Sequence, residues 1–145
     1  MDLEILTAPL SFHLHGLAGP VPNHAYAEVG MKLMNEMWRL VKEEKLATTG
    51  INHWVYLADG SMFTGIELLK TSPAPRGLQP LDFTLQRYLK HLHVGPYQAL
   101  PQKWQALKAE LTSRGETMDS PSLEVYGHHC DDPAKTETTI LIALK

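Results

Sequence analysis

The sequence predicts an α+β fold of duplicated βαββ units, with two antiparallel sheet halves that form a groove flanked by two helices. Two amphipathic helical stretches are each followed by a pair of strand-like stretches. The order strand, helix, strand, turn, strand occurs twice, in residues 3–70 and in residues 81–145. Residues 71–80 are rich in proline and are predicted to be the linker between the repeats. Because 145 residues suit one shared core, residues 1–145 are predicted to form a single domain.

The first repeat begins with a predicted strand over residues 11–15 and a loop rich in glycine and proline. A helix is predicted over residues 25–45, because apolar residues recur there on one helical face. That face consists of Val29, Leu33, Met37, Leu40 and Val41. Residues 52–57 and 62–69 then predict a β-hairpin, since Asp59-Gly60 between them is typical of hairpin turns.

The second repeat begins with residues 82–94, which are predicted to form one strand that ends at Gly95-Pro96. A second amphipathic helix follows and is expected to end at Gly115. Its apolar face consists of Tyr97, Leu100, Trp104, Leu107 and Leu111. Residues 123–126 and 138–144 are predicted to be the two closing strands, so this repeat has the same plan as the first.

Two strands occupy matching places in the repeats: Trp54-Val55-Tyr56 in the first and Glu124-Val125-Tyr126 in the second. Because side chains alternate between the faces of a strand, Glu124 shares a face with Tyr126, and Trp54 shares the matching face with Tyr56. A pseudo-twofold axis between the strands would bring all four into one cleft. A carboxylate among aromatic rings suits a planar or cationic ligand. Alternatively, Glu124 lies on an edge strand in water, and the aromatic residues belong to the core or rim of a sheet.

Composition excludes several classes of protein. A net charge of −3 argues against direct nucleic-acid binding through phosphate neutralisation. No apolar run is long enough for a membrane helix. Cys130 is the single cysteine, so there is no internal disulfide framework, and we expect a cytoplasmic location. Its neighbours Asp131 and Asp132 disfavour a thiolate nucleophile.

The histidines raise the question of a metal site. His13 and His15, like His91 and His93, would each project two imidazoles to one face of a strand, a spacing compatible with metal ligation. The run from His128 through His129 to Cys130 also contains ligand types, but adjacent side chains in a turn diverge. No complete metal motif is present, so we expect no metal and no cofactor. As an alternative, His91 or His93 would lie near the mouth of the groove.

Several segments resemble the GyrI-like family, the gyrase-inhibitor-like or AraC-type bacterial effector-binding domains. They are, in chain order, Val55-Tyr56, Phe63-Thr64-Gly65-Ile66-Glu67, His93-Val94-Gly95-Pro96-Tyr97, Leu123-Glu124-Val125-Tyr126 and Thr136-Glu137-Thr138-Thr139-Ile140. The resemblance covers nearly the whole chain, and its most specific parts are Gly95-Pro96-Tyr97 and Glu124-x-Tyr126. It implies two βαββ units related by a pseudo-twofold axis around a small-molecule groove. With no helix-turn-helix before it, the chain looks like a stand-alone member.

The expected function is small-molecule binding, with Glu124 as the charged anchor of a multidrug-type pocket. Trp54, Tyr56 and Tyr126 would form its aromatic walls, and Tyr97 would lie at the start of the second helix. Met31 or Met34 could line an adaptable wall, whereas Met34, Met37 and Trp104 are most simply core residues. One alternative is a hydrolase of small electrophiles that uses Glu124 and Tyr126. Another is a modulator that binds gyrase or a regulator.

Overall fold

The computed structural model describes residues 3–128 and 130–145. Within these ranges the chain forms two α-helices and eight β-strands. The helices are α1 (Tyr26–Glu43) and α2 (Leu100–Ser113). The strands are β1 (Glu4–Leu6), β2 (Leu10–Gly19), β3 (His53–Tyr56), β4 (Met62–Ile66), β5 (Gln79–Leu85), β6 (Tyr88–Val94), β7 (Met118–Tyr126) and β8 (Glu137–Leu144).

The strands of the described chain form one antiparallel sheet in the order β1-β6-β8-β7-β3-β4-β2-β5. This architecture of a sheet with two helices confirms the predicted α+β fold. Each half contains one strand more than predicted and has the order ββαββ. In the first half, the residues before β2 form the additional strand β1. In the second half, the predicted strand over residues 82–94 is divided at Gln86 and Arg87 into β5 and β6. Strand β5 begins at Gln79, inside the segment expected to be a linker. The two halves exchange their edge strands, since β1 pairs with β6 and β5 pairs with β2.

Both helices cover the same face of the sheet. The apolar stripe of α1 packs through Met37 and Val41 against Ile66 of β4, over one half of the sheet. The stripe of α2 packs through Leu107 and Leu111 against a second apolar cluster, over the other half. The apolar neighbours of α2 include Leu89, Ile140 and Ile142. The helices therefore lie on either side of the central strands β3 and β7.

A third apolar cluster lies on the opposite face of the sheet and includes Val55 and Leu123, which are fully buried. Strands β5 and β6 lie near opposite ends of the strand order, yet only two residues join them. Because the three Cα–Cα steps from Leu85 to Tyr88 span no more than about 11 Å, the sheet must curl until its two ends come close together around this cluster. Val55 and Leu123 thus pack one face of β3 and β7 into this cluster, while the opposite face of the same two strands carries the aromatic and acidic side chains.

The antiparallel pair β3–β7 links the two halves. Trp54 pairs with Glu124 and Tyr56 with Ser122, so their side chains share the face that the helices flank. The register places the carboxylate directly opposite an indole. Neither helix in the described part of the chain is long and apolar enough to cross a membrane.

Candidate functional site

A cleft of about 850 Å³ lies over the central strand pair, between α1 and α2. Its floor consists of Trp54, Tyr56, Glu124 and Tyr126. The walls come from the helices and their first turns, through Tyr26, Met31, Met34, Tyr97, Trp104 and Lys108. Its volume is in the range of sites for small organic molecules.

Glu124 is the most connected side chain of the cleft, and only 4% of its surface is exposed. Its Oε1 accepts hydrogen bonds from the hydroxyl of Tyr56 at 2.8 Å and from the hydroxyl of Tyr126 at 2.6 Å. Its Oε2 accepts a hydrogen bond from Nε1 of Trp104 at 2.7 Å. Such donors compensate for the loss of water around a buried carboxylate. The three donors come from β3, β7 and α2, so the site exists only when these elements are packed together.

The two phenols are held in their protonated, donating form. Burial raises the pKa of Tyr56 well above its ordinary value, and the charge of Glu124 raises it further. The pKa of Tyr126 is raised in the same direction, again first by burial and then by the charge of Glu124. A phenolate beside the carboxylate would add a second buried negative charge, which is strongly unfavourable. The phenols therefore act as hydrogen-bond donors at neutral pH.

The aromatic rings form two arms that meet at Glu124. In one arm, Tyr26 packs edge to face on Tyr56, and Tyr56 packs in the same way on Trp104. In the other, Tyr126 makes edge-to-face contacts with Trp54 and with Tyr97. Centroid separations of 5.3–5.6 Å are favourable for such pairs. The rings thus hold one another in place and surround the carboxylate.

Trp54 reaches its position because residue 30 of α1 is a glycine. A Cβ atom at Gly30 would lie 2.4 Å from the indole ring of Trp54, closer than any real contact. The indole packs directly against the helix backbone and is only 7% exposed. Its Nε1 is buried without a hydrogen-bond partner among the described residues. Gly30 therefore allows α1 to approach the floor of the cleft.

The five site residues expected from the sequence lie together at this cleft: Trp54, Tyr56, Tyr97, Glu124 and Tyr126. Tyr97 is at the rim, where it is 49% exposed. Met31 and Met34 line the α1 wall, as the alternative for the methionines suggested.

Trp104 was predicted most simply to be a core residue, and it does pack against an apolar core cluster, but the sequence did not predict that it also lines the cleft. The indole is partly buried against the α2 cluster, but it also lines the cleft and donates to Glu124. A sequence signal exists, because Trp104 lies seven residues after Tyr97 and two helical turns return a side chain to the same side. Tyr26 and Lys108 also line the cleft and were not singled out by the sequence.

The paired histidines lie outside the cleft. His13 bonds to Asp82 through its Nδ1, and His93 contacts the carbonyl oxygen of Pro96. Burial lowers the pKa of His15 and of His91. Residues 3–128 and 130–145 contain no group of three or more histidine, cysteine, aspartate or glutamate side chains that could hold a metal ion.

The acidic turn after β7 lies at the edge of the site. His128 lines the rim of the cleft, whereas His129 lies outside the described residues. The thiol of Cys130 donates to the carbonyl oxygen of Asp132 at 3.5 Å. This contact is with backbone and provides no base for the thiol.

Comparison with known proteins provides evidence on the family and the fold of this chain. The family model for the GyrI-like small molecule binding domain matches residues 1–145. The structure of SAV2435 bound to tetraphenylphosphonium is similar, with 16% identity and a TM-score of 0.72 over 100% of this chain and 94% of that one.

Two further structures share the fold. EcmrR in its complex with DNA is 14% identical, with a TM-score of 0.68 over 99% of this chain and 56% of that one. A hydrolase from Listeria innocua is 12% identical, with a TM-score of 0.58 over 99% of this chain and 92% of that one. The search of curated proteins found no match.

Proposed function

This chain belongs to the GyrI-like family of small-molecule binding domains, and we propose that its cleft binds planar or cationic aromatic molecules, with Glu124 as the charged anchor. One observation carries the proposal: a buried carboxylate lies on the floor of an aromatic cleft and is held there by uncharged donors. Its negative charge is therefore not neutralised by a bonded lysine or arginine among the described residues.

An aromatic cation matches both features of the cleft. Its rings would pack against the aromatic arms, and its charge would be attracted to the ring faces and to Glu124. Because water is largely excluded at the floor, this attraction is stronger than it would be at an exposed site. A relative with the same fold has been seen with tetraphenylphosphonium, an aromatic cation, which supports this ligand class.

The proposal can be tested with two ligands of nearly the same shape, N-methylacridinium and acridine, at an alkaline pH at which acridine is neutral. Titration calorimetry on the wild type should show tighter binding of N-methylacridinium. Glu124→Gln should weaken binding of the cation by about tenfold or more and change acridine binding little, because only the cation loses a charge partner.

Glu67→Gln is the matched control. It removes the same charge from a residue that does not line the cleft, and we expect wild-type binding. Thermal unfolding of both variants shows whether they are folded. If Glu124→Gln binds N-methylacridinium as tightly as the wild type does, Glu124 is not the anchor.

A hydrolase that uses the same glutamate is the second candidate. Three of about four acceptor positions on the Glu124 carboxylate are used by the hydroxyls and the indole, which leaves one on Oε2. In this alternative Glu124 activates a water molecule or protonates a leaving group, and Tyr126 assists. The hydrolase among the fold neighbours supports testing it. We favour the binding function over the hydrolase, because the three donors occupy lone pairs of Glu124 that a general base would need.

Turnover separates the two candidates. A panel of epoxides and aziridines would be incubated with the wild type, Glu124→Gln and Glu67→Gln, and the ring-opened products would be measured by mass spectrometry. A hydrolase predicts turnover that only Glu124→Gln loses. Turnover that persists in Glu124→Gln would exclude Glu124 as the catalyst. Binding to gyrase or a regulator, the absence of direct nucleic-acid binding, and the cytoplasmic location stay predictions from the sequence.

A further inference from the structure

Lys108 holds a positive charge at the very place where a cationic ligand would be expected to lie. Its Nζ is over the indole of Trp104, 5.6 Å from the ring centroid. The two residues are one helical turn apart on α2, and both line the cleft. Among the described residues that line the cleft, Lys108 is the single lysine or arginine.

The indole of Trp104 is a favoured position for a cation for two reasons. Tryptophan offers the strongest cation–π attraction of the aromatic side chains. In addition, its Nε1–H donates to Glu124, and a hydrogen bond to an anion pushes electron density into the ring. A cation above this ring is thus attracted by the ring itself and by the carboxylate behind it.

Lys108 can leave this position easily. The side chain is exposed at its position on α2, and its flexible four-carbon stem lets the ammonium move into water without any change in the backbone. The ammonium is therefore held near the ring face by a weak attraction, and no hydrogen-bonded ion pair with another described residue fixes it there.

We infer that Lys108 competes with cationic ligands for the face of Trp104 and so determines which molecules the cleft accepts. This inference rests on the proposed binding function. A cation must displace the ammonium and overcome its repulsion, whereas a neutral planar molecule can bind beside it. Lys108 thereby reduces the preference for cations that Glu124 creates, and it restricts the cleft to cations with enough aromatic surface to offset the displacement.

The test uses N-methylacridinium and acridine again, with three variants on the same helix. Lys108→Met removes the charge and keeps an unbranched apolar stem. Lys108→Arg keeps a cation that stacks well on an indole. Lys103→Met is the matched control, because it removes a lysine charge from α2 at a residue that does not line the cleft.

We expect Lys108→Met to tighten N-methylacridinium binding by about two- to fivefold and to leave acridine binding within error. Lys108→Arg should bind the cation as the wild type does or more weakly, and Lys103→Met should match the wild type. Equal tightening of both ligands would overturn the inference, because it would indicate a steric barrier. An unchanged affinity for the cation would also overturn it while leaving the proposed function intact. If the wild type binds neither ligand, the proposed function fails and the inference fails with it.

Discussion

Alkaline pH should destabilise the fold through the two phenols that donate to Glu124. The pKa of Tyr56 and that of Tyr126 are raised above the ordinary 10.0 by burial and by the adjacent carboxylate. The folded protein therefore keeps these protons above pH 10, whereas the unfolded chain releases them. The stabilisation that the two phenols contribute is therefore fully present below the pKa of tyrosine in the unfolded chain, and it declines as the pH rises above that value.

The magnitude follows from proton linkage. Each phenol that is protonated in the folded state and ionised in the unfolded state lowers the free energy of unfolding by about 1.4 kcal/mol per pH unit. At one pH unit above the ordinary pKa of 10.0, the two phenols together should lower the free energy of unfolding by about 3 kcal/mol relative to its value at neutral pH. This is a large part of the stability of a typical domain, about 5–15 kcal/mol.

Urea unfolding at a series of alkaline pH values measures the effect, and phenolate absorbance measures ionisation directly. The reference is the double variant Tyr56→Phe, Tyr126→Phe, which lacks both protons but keeps the rings. The wild type should lose stability more steeply than this variant above pH 10, and the two phenols should ionise only on unfolding. Equal pH dependence in the two proteins would refute the reasoning that these phenols stay protonated at the floor of the cleft.

Two further predictions concern packing and acid stability. Gly30→Ala should lower the free energy of unfolding, measured by urea titration, by about 1–3 kcal/mol, because the added Cβ would collide with Trp54 even though alanine favours helices. The loss should be smaller in a Trp54→Phe background. A Gly30→Ala protein that is more stable than the wild type would contradict the contact. Hydrogen bonds from Arg87 lower the pKa of Glu116, so the stabilisation that they provide is present above the ordinary pKa of 4.5 and is lost as the pH falls. In thermal unfolding, Glu116→Gln should therefore lose less stability at acid pH than the wild type does. The same acid dependence in both proteins would contradict this prediction.

Local patterns predicted the helices well because burial follows their period. Met37 and Val41 of α1, and Leu107 and Leu111 of α2, are buried as the apolar stripes required. The strands were harder to delimit. The turn at Gln86 and Arg87 has none of the glycine, proline or asparagine residues that normally indicate a turn, so β5 and β6 appeared to be one strand.

The case of Trp104 shows a limit of helical periodicity. An apolar stripe indicates which side of a helix is turned away from water, but a cleft and a core can lie on the same side. Trp104 contacts both, through its ring in the α2 cluster and through its Nε1 at Glu124. Only the position of α2 relative to β7 distinguishes these surroundings.

The sequence by itself determined which side chains share a face: strand alternation put Trp54 with Tyr56 and Glu124 with Tyr126. The tertiary structure decided that these faces meet. Tyr56 and Glu124 are 68 residues apart, and their 2.8 Å hydrogen bond depends on the pairing of β3 with β7. Alternation is a local consequence of backbone geometry, whereas strand pairing and helix position result from the packing of the whole chain. For that reason the carboxylate could be proposed from the sequence, but its three donors could be identified only in the folded protein.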